Sequence, residues 1–406
     1  MRVLFLHNNF PAQFGTLARY LSEHGHDVTF ATCWEGTPPD WVRLVRFSPH
    51  RQVGAKQHPY LVSTEGAVLL GQAFARAAWQ LRAEGYAPDC IVAHAGSGVG
   101  LYARDVWPEA RCVGYFEWYY RSRGADVGFL RDEVSPDNQH RVRTRNAPVL
   151  LDLAASDVGI VPTAYQAAQF PPVARPRLIV QHDGVDTEYI APREQRLALP
   201  GLDLTHVDEI VTYVARSQEP YRGFPQAMMA FAEVQKRRPG AHVVVVGEDR
   251  VAYGKSLPDG DTYRQKMLRE LDLDLDRIHF TGLLRRDHYR DVLLASSVHV
   301  YLTIPFVLSW SMIEALSAGC VLIASDTDPV REVVRDGDNG LLVDFFDTGR
   351  LADRICDVLE RPDAVAEVRG NARRTAVERY AASRLVPQRA KLLELAAAGL
   401  LGDAGP

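Results

Sequence analysis

Ser309-Trp-Ser-Met-Ile-Glu314-Ala-Leu-Ser-Ala-Gly319-Cys-Val-Leu-Ile-Ala-Ser-Asp326 reads as loop, helix, glycine stop and buried strand. Ser309 and Ser311 are both suitable N-caps, because a hydroxyl oxygen there accepts from a first-turn N–H that has no partner within the helix. Met312, Ala315 and Leu316 share one helical face, Gly319 ends the helix, and 320–324 is an apolar run of strand length. In an open α/β sheet, a helix N-terminus facing the crevice at the strand ends is an anion site. Glu314 is oddly placed beside a phosphate alone. It suits a ligand whose sugar hydroxyls lie just beyond the phosphate. The combination points to a nucleotide sugar; the alternative is a helix packed on a sheet with Glu314 in solvent.

The same alternation extends in both directions. Strand-like runs at 3–6, 28–32, 90–93, 111–116, 158–161 and 178–181 are separated by helical stretches at 14–24, 69–84, from 98, and at 150–155. Strands at 209–214, 241–247, 278–281, 298–302 and 340–343 are separated by helices at 223–238, 263–271 and 288–295, and further helices run to Leu400. Strands joined by crossovers of helical length indicate parallel sheets. The nearly all-valine run 241–247 predicts a strand covered on both faces. Pro192, Pro200 and Gly201 mark 192–208 as a linker. The expected architecture is α/β: a Rossmann-like N-terminal domain over 1–195, rejoined by a terminal helix at 380–402, and a second over 206–379. Ligand would bind in the cleft between them.

Composition narrows the partners. The 406 residues are 47% hydrophobic with net charge −5, a balance that argues against general nucleic-acid binding. No apolar run approaches the ~20 residues of a membrane span, and the chain enters a strand at once, which predicts a cytoplasmic protein without a signal peptide. The five cysteines (Cys33, Cys90, Cys112, Cys320, Cys356) lack metal-ligand spacing and read as buried thiols.

The ordered motifs resemble retaining glycosyltransferases of glycosyltransferase family 4, with the GT-B fold of two Rossmann-like domains. Val211-Thr-Tyr-Val-Ala-Arg216 with Arg222-Gly223 is similar to the family's strand, arginine and Lys-Gly element, and Val244-Val-Val246-Gly247-Glu248 to its central strand. Phe280-Thr-Gly282-Leu-Leu284 resembles the loop that holds the nucleobase. Residues 298–326 cover the signature helix, and Arg331-Glu332-Val-Val334 and Asn339-Gly340-Leu-Leu-Val343 match downstream elements. In the N-terminal half, Asn8-Asn-Phe-Pro-Ala-Gln-Phe14-Gly15 stands where the family has its glycine-rich loop; Ile91-Val-Ala-His94 and His182-Asp-Gly184-Val-Asp186 also find counterparts.

The resemblance implies sugar transfer from a nucleoside-diphosphate sugar to an unknown acceptor, with no metal or other cofactor. It assigns Arg216 and Arg222 to the diphosphate, the latter replacing a lysine and so offering a planar fork. Gly15, Gly282, Leu284, Ser309, Trp310, Ser311 and Glu314 would bind the donor, Glu314 through the ribose diol. For the two arginines the alternative is a surface pair with Glu219 as ion partner. Two departures stand out. The first of two signature glutamates falls on Phe306, which has no acceptor and is grouped with His94 on the acceptor side. Glu117, in Tyr115-Phe116-Glu117-Trp118, falls at or beside a position where relatives often carry histidine. Glu117 could position the acceptor or stabilise the cationic transition state, bind a cationic acceptor, or pair with an arginine of the polar 121–145 loop. Its apolar surroundings predict a raised pKa. A histidine at a strand end, such as His94, is more commonly satisfied structurally. The 121–145 stretch reads as a mobile loop. Competing functions are a nucleotide-sugar epimerase of the same fold and a nucleotide-sugar-binding subunit without transfer activity. Peripheral membrane contact remains open in this reading.

Overall fold

The computed structural model describes residues 1–131 and 133–401. The chain divides into two compact units. The first holds the chain up to Gly128, the stretch continuing to Gly184, and the chain from Ser383; the second holds Phe129–Arg131 and Val185–Ala382.

Seven parallel strands form the sheet of the first unit: β1 (Arg2–Leu6), β2 (Asp27–Thr32), β3 (Arg43–Arg46), β4 (Cys90–His94), β5 (Arg111–Tyr115), β6 (Val158–Val161) and β7 (Leu178–Val180). Their order is β3-β2-β1-β4-β5-β6-β7. Val3, Leu4, Phe5 and Leu6 are all fully buried, as a strand with helices on both faces requires. Leu4, Leu6, Phe74, Ile91 and Trp107 lie in one core cluster. Strand β3 does not follow from the sequence pattern, because Arg43-Leu-Val-Arg46 is short and bounded by charge. The helix expected from 69 runs from Val62 to Ala83, and the one expected from 98 is only Ala103–Val106.

A hairpin of β8 (Leu197–Leu199) and β9 (Leu202–Leu204) opens the second unit. This stretch was expected to be a linker, but Leu197 and Leu204 enter the core with Met312, Leu316 and Leu322. The prolines and glycine there mark a turn, not a flexible join: Gly201, at φ +79°, makes the connection. The second sheet follows with β10 (Glu209–Ser217), β11 (Ala241–Glu248), β12 (Ile278–Gly282), β13 (Val298–Tyr301), β14 (Leu322–Ser325) and β15 (Leu341–Val343). Its order is β12-β11-β10-β13-β14-β15, again all parallel. Val243 to Val245 are fully buried, in keeping with a central strand. The β10–β11 register shifts between Val214 and Ser217. There the chains approach so closely that a Cβ on Gly247 (φ +139°) would sit 2.2 Å from the Ala215 carbonyl oxygen.

Part of the polar 121–145 stretch is helical: Ser135 caps Pro136–Thr144 by accepting from the Asn138 N–H. Of the five free cysteines, four are buried and Cys33 is partly so. Among the described residues, no helix is long and apolar enough to cross a membrane.

Candidate functional site

In both sheets the strand order reverses beside the first strand of the sheet, at β1/β4 and at β10/β13, and ligands of such sheets gather at the carboxyl ends of the strands flanking that reversal. His7 and Glu117 follow, and His94 ends, strands at or next to the first reversal and Arg222 follows β10 at the second, whereas Gly282 ends the edge strand β12.

In the second unit, β10 runs out into a single turn, Pro220–Arg222, and Gly223 opens the Phe224–Arg237 helix. Arg222 is only 8% exposed. Its Nη1 donates to Thr303 Oγ1 (3.1 Å) and to the Val307 carbonyl (2.9 Å), both in the chain leaving β13. Its guanidinium lies 5.9 Å from the ring centre of Tyr253 and 6.0 Å from that of Phe306. A buried guanidinium fixed at a strand-order reversal is chemically suited to an anion. Arg216 differs: it is exposed, and among the described residues it forms no ion pair. Of the two arginines expected at the diphosphate, one is therefore anchored and one is an exposed side chain. The surface-pair alternative fails for Arg222, and Glu219 is itself fully buried, its Oε2 accepting from the backbone N–H groups of Ala252 and Tyr253. Burial raises the Glu219 carboxyl above its ordinary value despite these bonds.

The signature helix spans Trp310–Ser317 with Ser309 as its N-cap. Met312, Ala315 and Leu316 are fully buried. Two of the three backbone N–H groups expected to be able to hold phosphate, those of Ser309 and Ser311, have partners within the chain. Ser309 N–H donates to the Tyr301 hydroxyl (2.8 Å), and Ser311 N–H to Ser309 Oγ (3.3 Å). Trp310 is 40% exposed. Glu314 is half-buried and accepts from the Tyr289 hydroxyl at 2.7 Å, so it is not the solvated carboxylate of the alternative reading. Burial raises its carboxyl, against the lowering effect of the Tyr289 bond. Gly282 ends β12 at φ +68°, and Leu284 packs at the margin of the core. Phe306, grouped by sequence with the acceptor side, belongs to this unit, edge-on to Tyr221 (5.7 Å) and Tyr253 (5.2 Å).

In the first unit the carboxyl ends of β1, β4 and β5 bring His7, His94 and Glu117 together. Glu117 Oε1 accepts from Gln13 Nε2 at 2.7 Å, and Oε2 lies 3.3 Å from His94 Nε2. The His94 contact is an ion-pair distance without hydrogen-bond alignment, and both ring nitrogens of this half-buried residue are shielded from solvent and lack a hydrogen bond. His94 is thus not satisfied structurally as expected. Its ring packs edge-on against His7 at 4.7 Å. Gln166 Nε2 donates to the Glu117 carbonyl (2.7 Å) and holds this backbone in place. No arginine of the 121–145 stretch pairs with Glu117 among the described residues.

The expected rise in the Glu117 pKa is also corrected. Burial pushes it up, but the contacts from His94 and Gln13 and the nearby His7 outweigh burial and hold the carboxyl below its ordinary value. Burial, aided by His94, lowers His7 to about 4. Its Nδ1 accepts from Asn9 N–H at 2.8 Å, leaving the ring proton on Nε2. His7 and Gln13 were not singled out from the sequence; the signal was a polar residue directly after β1, where chain reversal exposes strand ends. Gly15 opens the Gly15–Glu23 helix in this unit, and a Cβ there would meet Pro11 at 2.8 Å. The tight turn therefore accounts for the glycine.

Residues 24–190 match the family model described as glycosyl transferase family 4 group, and residues 202–375 match that of glycosyl transferases group 1. The chain is 28% identical over 190 residues to a D-inositol 3-phosphate glycosyltransferase of Mycolicibacterium smegmatis, covering 47% of this chain and 42% of that one. It is 26% identical over 212 residues to the putative glycosyltransferase EpsD of Bacillus subtilis, covering 52% of each. The chain thus spans about half the length of these relatives. Among solved structures, HepE of Anabaena in complex with UDP-glucose superimposes with TM-score 0.69 at 17% identity, over 97% of this chain and 99% of that one. Sucrose-phosphate synthase of Thermosynechococcus elongatus gives 0.72 at 18% identity, over 98% and 100%. These likenesses establish the GT-B fold, and with the two family matches spanning most of its length the chain belongs to the glycosyltransferase family 4, group 1 transferases.

Proposed function

We propose that this protein is a retaining glycosyltransferase that moves a sugar from a nucleoside-diphosphate sugar to an acceptor hydroxyl or other nucleophile, without a metal ion. The observation that carries this reading is Arg222, buried and anchored to Thr303 and Val307 at the β10/β13 reversal. Transfer breaks the bond between the anomeric carbon and a phosphate oxygen through an oxocarbenium-like state. The bonding pair leaves with the diphosphate, and charge gathers there. A guanidinium already in position stabilises that charge without reorganising, an effect worth a few kcal/mol, roughly 3 per preorganised donor. Arg216 adds a second, exposed cation. Glu314, beside Tyr289, takes the ribose diol. In the first unit Glu117, with Gln13, His94 and His7, positions the acceptor nucleophile or faces the developing positive charge. UDP-glucose in the complex of Anabaena HepE, which has the same fold, supports a nucleotide-sugar donor.

Phe306 favours a second reading, a nucleotide-sugar-binding subunit without transfer activity, because it removes a carboxylate. A thermal-shift screen with UDP, GDP, ADP and dTDP and their glucose or mannose derivatives tests donor binding. NMR of the best donor then reports the product. Release of diphosphate with a sugar of unchanged anomeric configuration is expected. Binding without turnover, with or without candidate acceptors, supports the second reading; epimerised donor indicates an epimerase. Absence of stabilisation by every probe overturns the donor assignment.

A further inference from the structure

The loop that follows β11 is tied to the end of β10 by a carboxylate out of contact with solvent. Glu219 is 0% exposed, and its Oε2 accepts from Ala252 N–H and from Tyr253 N–H (2.8 Å). The backbone of Gly254 then packs so close to the Tyr221 ring that a Cβ would lie 2.9 Å from it. These contacts fix Tyr253 over the guanidinium site. Its ring meets Phe306 edge-on at 5.2 Å and stacks on Tyr221 at 6.5 Å, and Arg222 lies 5.9 Å from its centre. Among the described residues the Tyr253 hydroxyl has no hydrogen-bond partner, and the residue is half-buried, so its polar end remains open to a ligand.

Chemistry gives this corner a use. A pyranose presents apolar C–H surface, which packs on aromatic rings, and hydroxyls, which lose free energy if buried without a partner. Phe306 meets the first need only. Tyr253 meets both, beside the cation that would hold the diphosphate.

We propose that Tyr253, set in place by Glu219, recognises the donor sugar in this chain and supplies the hydrogen bond that the phenyl ring of Phe306 cannot. The inference rests on the nucleotide-sugar reading of the second unit. Tyr253 is a specificity residue that touches the sugar; Glu219 is a positioning residue that acts through it.

Calorimetric titration of the full chain tests the assignment. The probes are UDP, GDP, ADP and dTDP, each alone and as its glucose or mannose derivative, against wild type, Tyr253→Phe, Tyr253→Ala and Glu219→Gln. With the base that wild type prefers, Tyr253→Phe should bind the bare diphosphate within about twofold of wild type and the sugar derivative roughly five- to tenfold more weakly, the equivalent of one net hydrogen bond. Tyr253→Ala should widen that split by removing the ring. Glu219→Gln should show the same split between sugar derivative and bare diphosphate, which a general loss of structure would not produce. If Glu219→Gln does not fold, Tyr253→Phe decides alone. Equal loss for diphosphate and sugar derivative, or no loss for either, overturns the role of Tyr253 while leaving the donor assignment intact. If wild type binds none of the probes, the donor assignment and this inference fall together.

Discussion

Arg216 and Arg222 are alike in sequence and unlike in what holds them. Arg222 is buried with two hydrogen bonds from Nη1, whereas Arg216 stands exposed. Arg222→Ala should therefore lower stability by ~1–3 kcal/mol, because Thr303 and Val307 lose a charged donor in a buried setting, and should weaken nucleoside diphosphates far more than nucleosides. Arg216→Ala should produce the same ligand discrimination with an unchanged melting temperature. Titrations and melts of both variants check this; equal losses for nucleoside and diphosphate would move the arginines away from the diphosphate. Glu117 is the second residue to test. Its carboxylate already accepts from Gln13 and faces His94. Glu117→Gln should lower turnover by orders of magnitude while nucleotide affinity stays near normal, because the residues proposed to bind the donor lie in the second unit and are untouched. Since its pKa lies below the ordinary 4.5, any acid limb it imposes on kcat/KM should fall below that pH. Near-normal turnover of Glu117→Gln on the true acceptor would remove its catalytic role.

At the scale of elements, the Trp310–Ser317 helix combines a capped end with Glu314, the carboxylate proposed for the ribose diol. Ser309 caps it and draws the Ser311 N–H inward. Ser309→Ala should cost ~1 kcal/mol of stability. Glu314→Gln, four residues into the same helix beyond Trp310, should leave stability nearly unchanged and weaken nucleoside diphosphates, because it alters the carboxylate proposed for the ribose diol and keeps an oxygen for Tyr289. Unchanged affinity would take Glu314 out of the ribose role. The β10–β11 pair makes a separate, purely structural prediction. Gly247→Ala should destabilise the second unit by ~2 kcal/mol or more, because its φ is unfavourable for alanine and the new methyl meets the Ala215 carbonyl. A denaturation midpoint equal to wild type would show that β10 can shift to accept it.

Across the whole molecule, buried histidines couple stability to acid. His299 in β13 is fully buried against Thr212 Oγ1 (2.8 Å), and burial lowers its pKa to about 3; His7 is lowered to about 4. In the unfolded chain each titrates near ~6.5. Below that pH the unfolded state takes up protons that the folded state refuses, so stability falls as pH drops until the folded pKa is reached. For His7 the loss is on the order of 3 kcal/mol between pH 6.5 and 4. Unfolding free energies measured at pH 7, 5.5 and 4.5 should decline steadily, and His299→Gln should flatten the slope even if it lowers the starting value; an unchanged slope would exclude His299 as a source. The parallel sheets, the glycosyltransferase family and the signature helix were legible in the order of strands, caps and glycine stops, because those patterns are written in local spacing and in apolar runs such as 241–247. The hairpin at 197–204 was not, since leucines around a proline and a glycine look like a linker until a core is there to receive them. Likewise, the residue types Arg216, Arg222, Glu117 and His94 were visible, but their states were not. Burial and partners are set by strands distant in sequence: β1 and β4 place His7 beside His94, and the chain after β13 anchors Arg222. Sequence alone therefore determined the fold and the chemical inventory. Tertiary structure decided which arginine is fixed, that Glu117 is held ionised by its neighbours, and that Tyr253 stands beside Phe306, because desolvation and hydrogen bonding depend on neighbours that only the folded chain supplies.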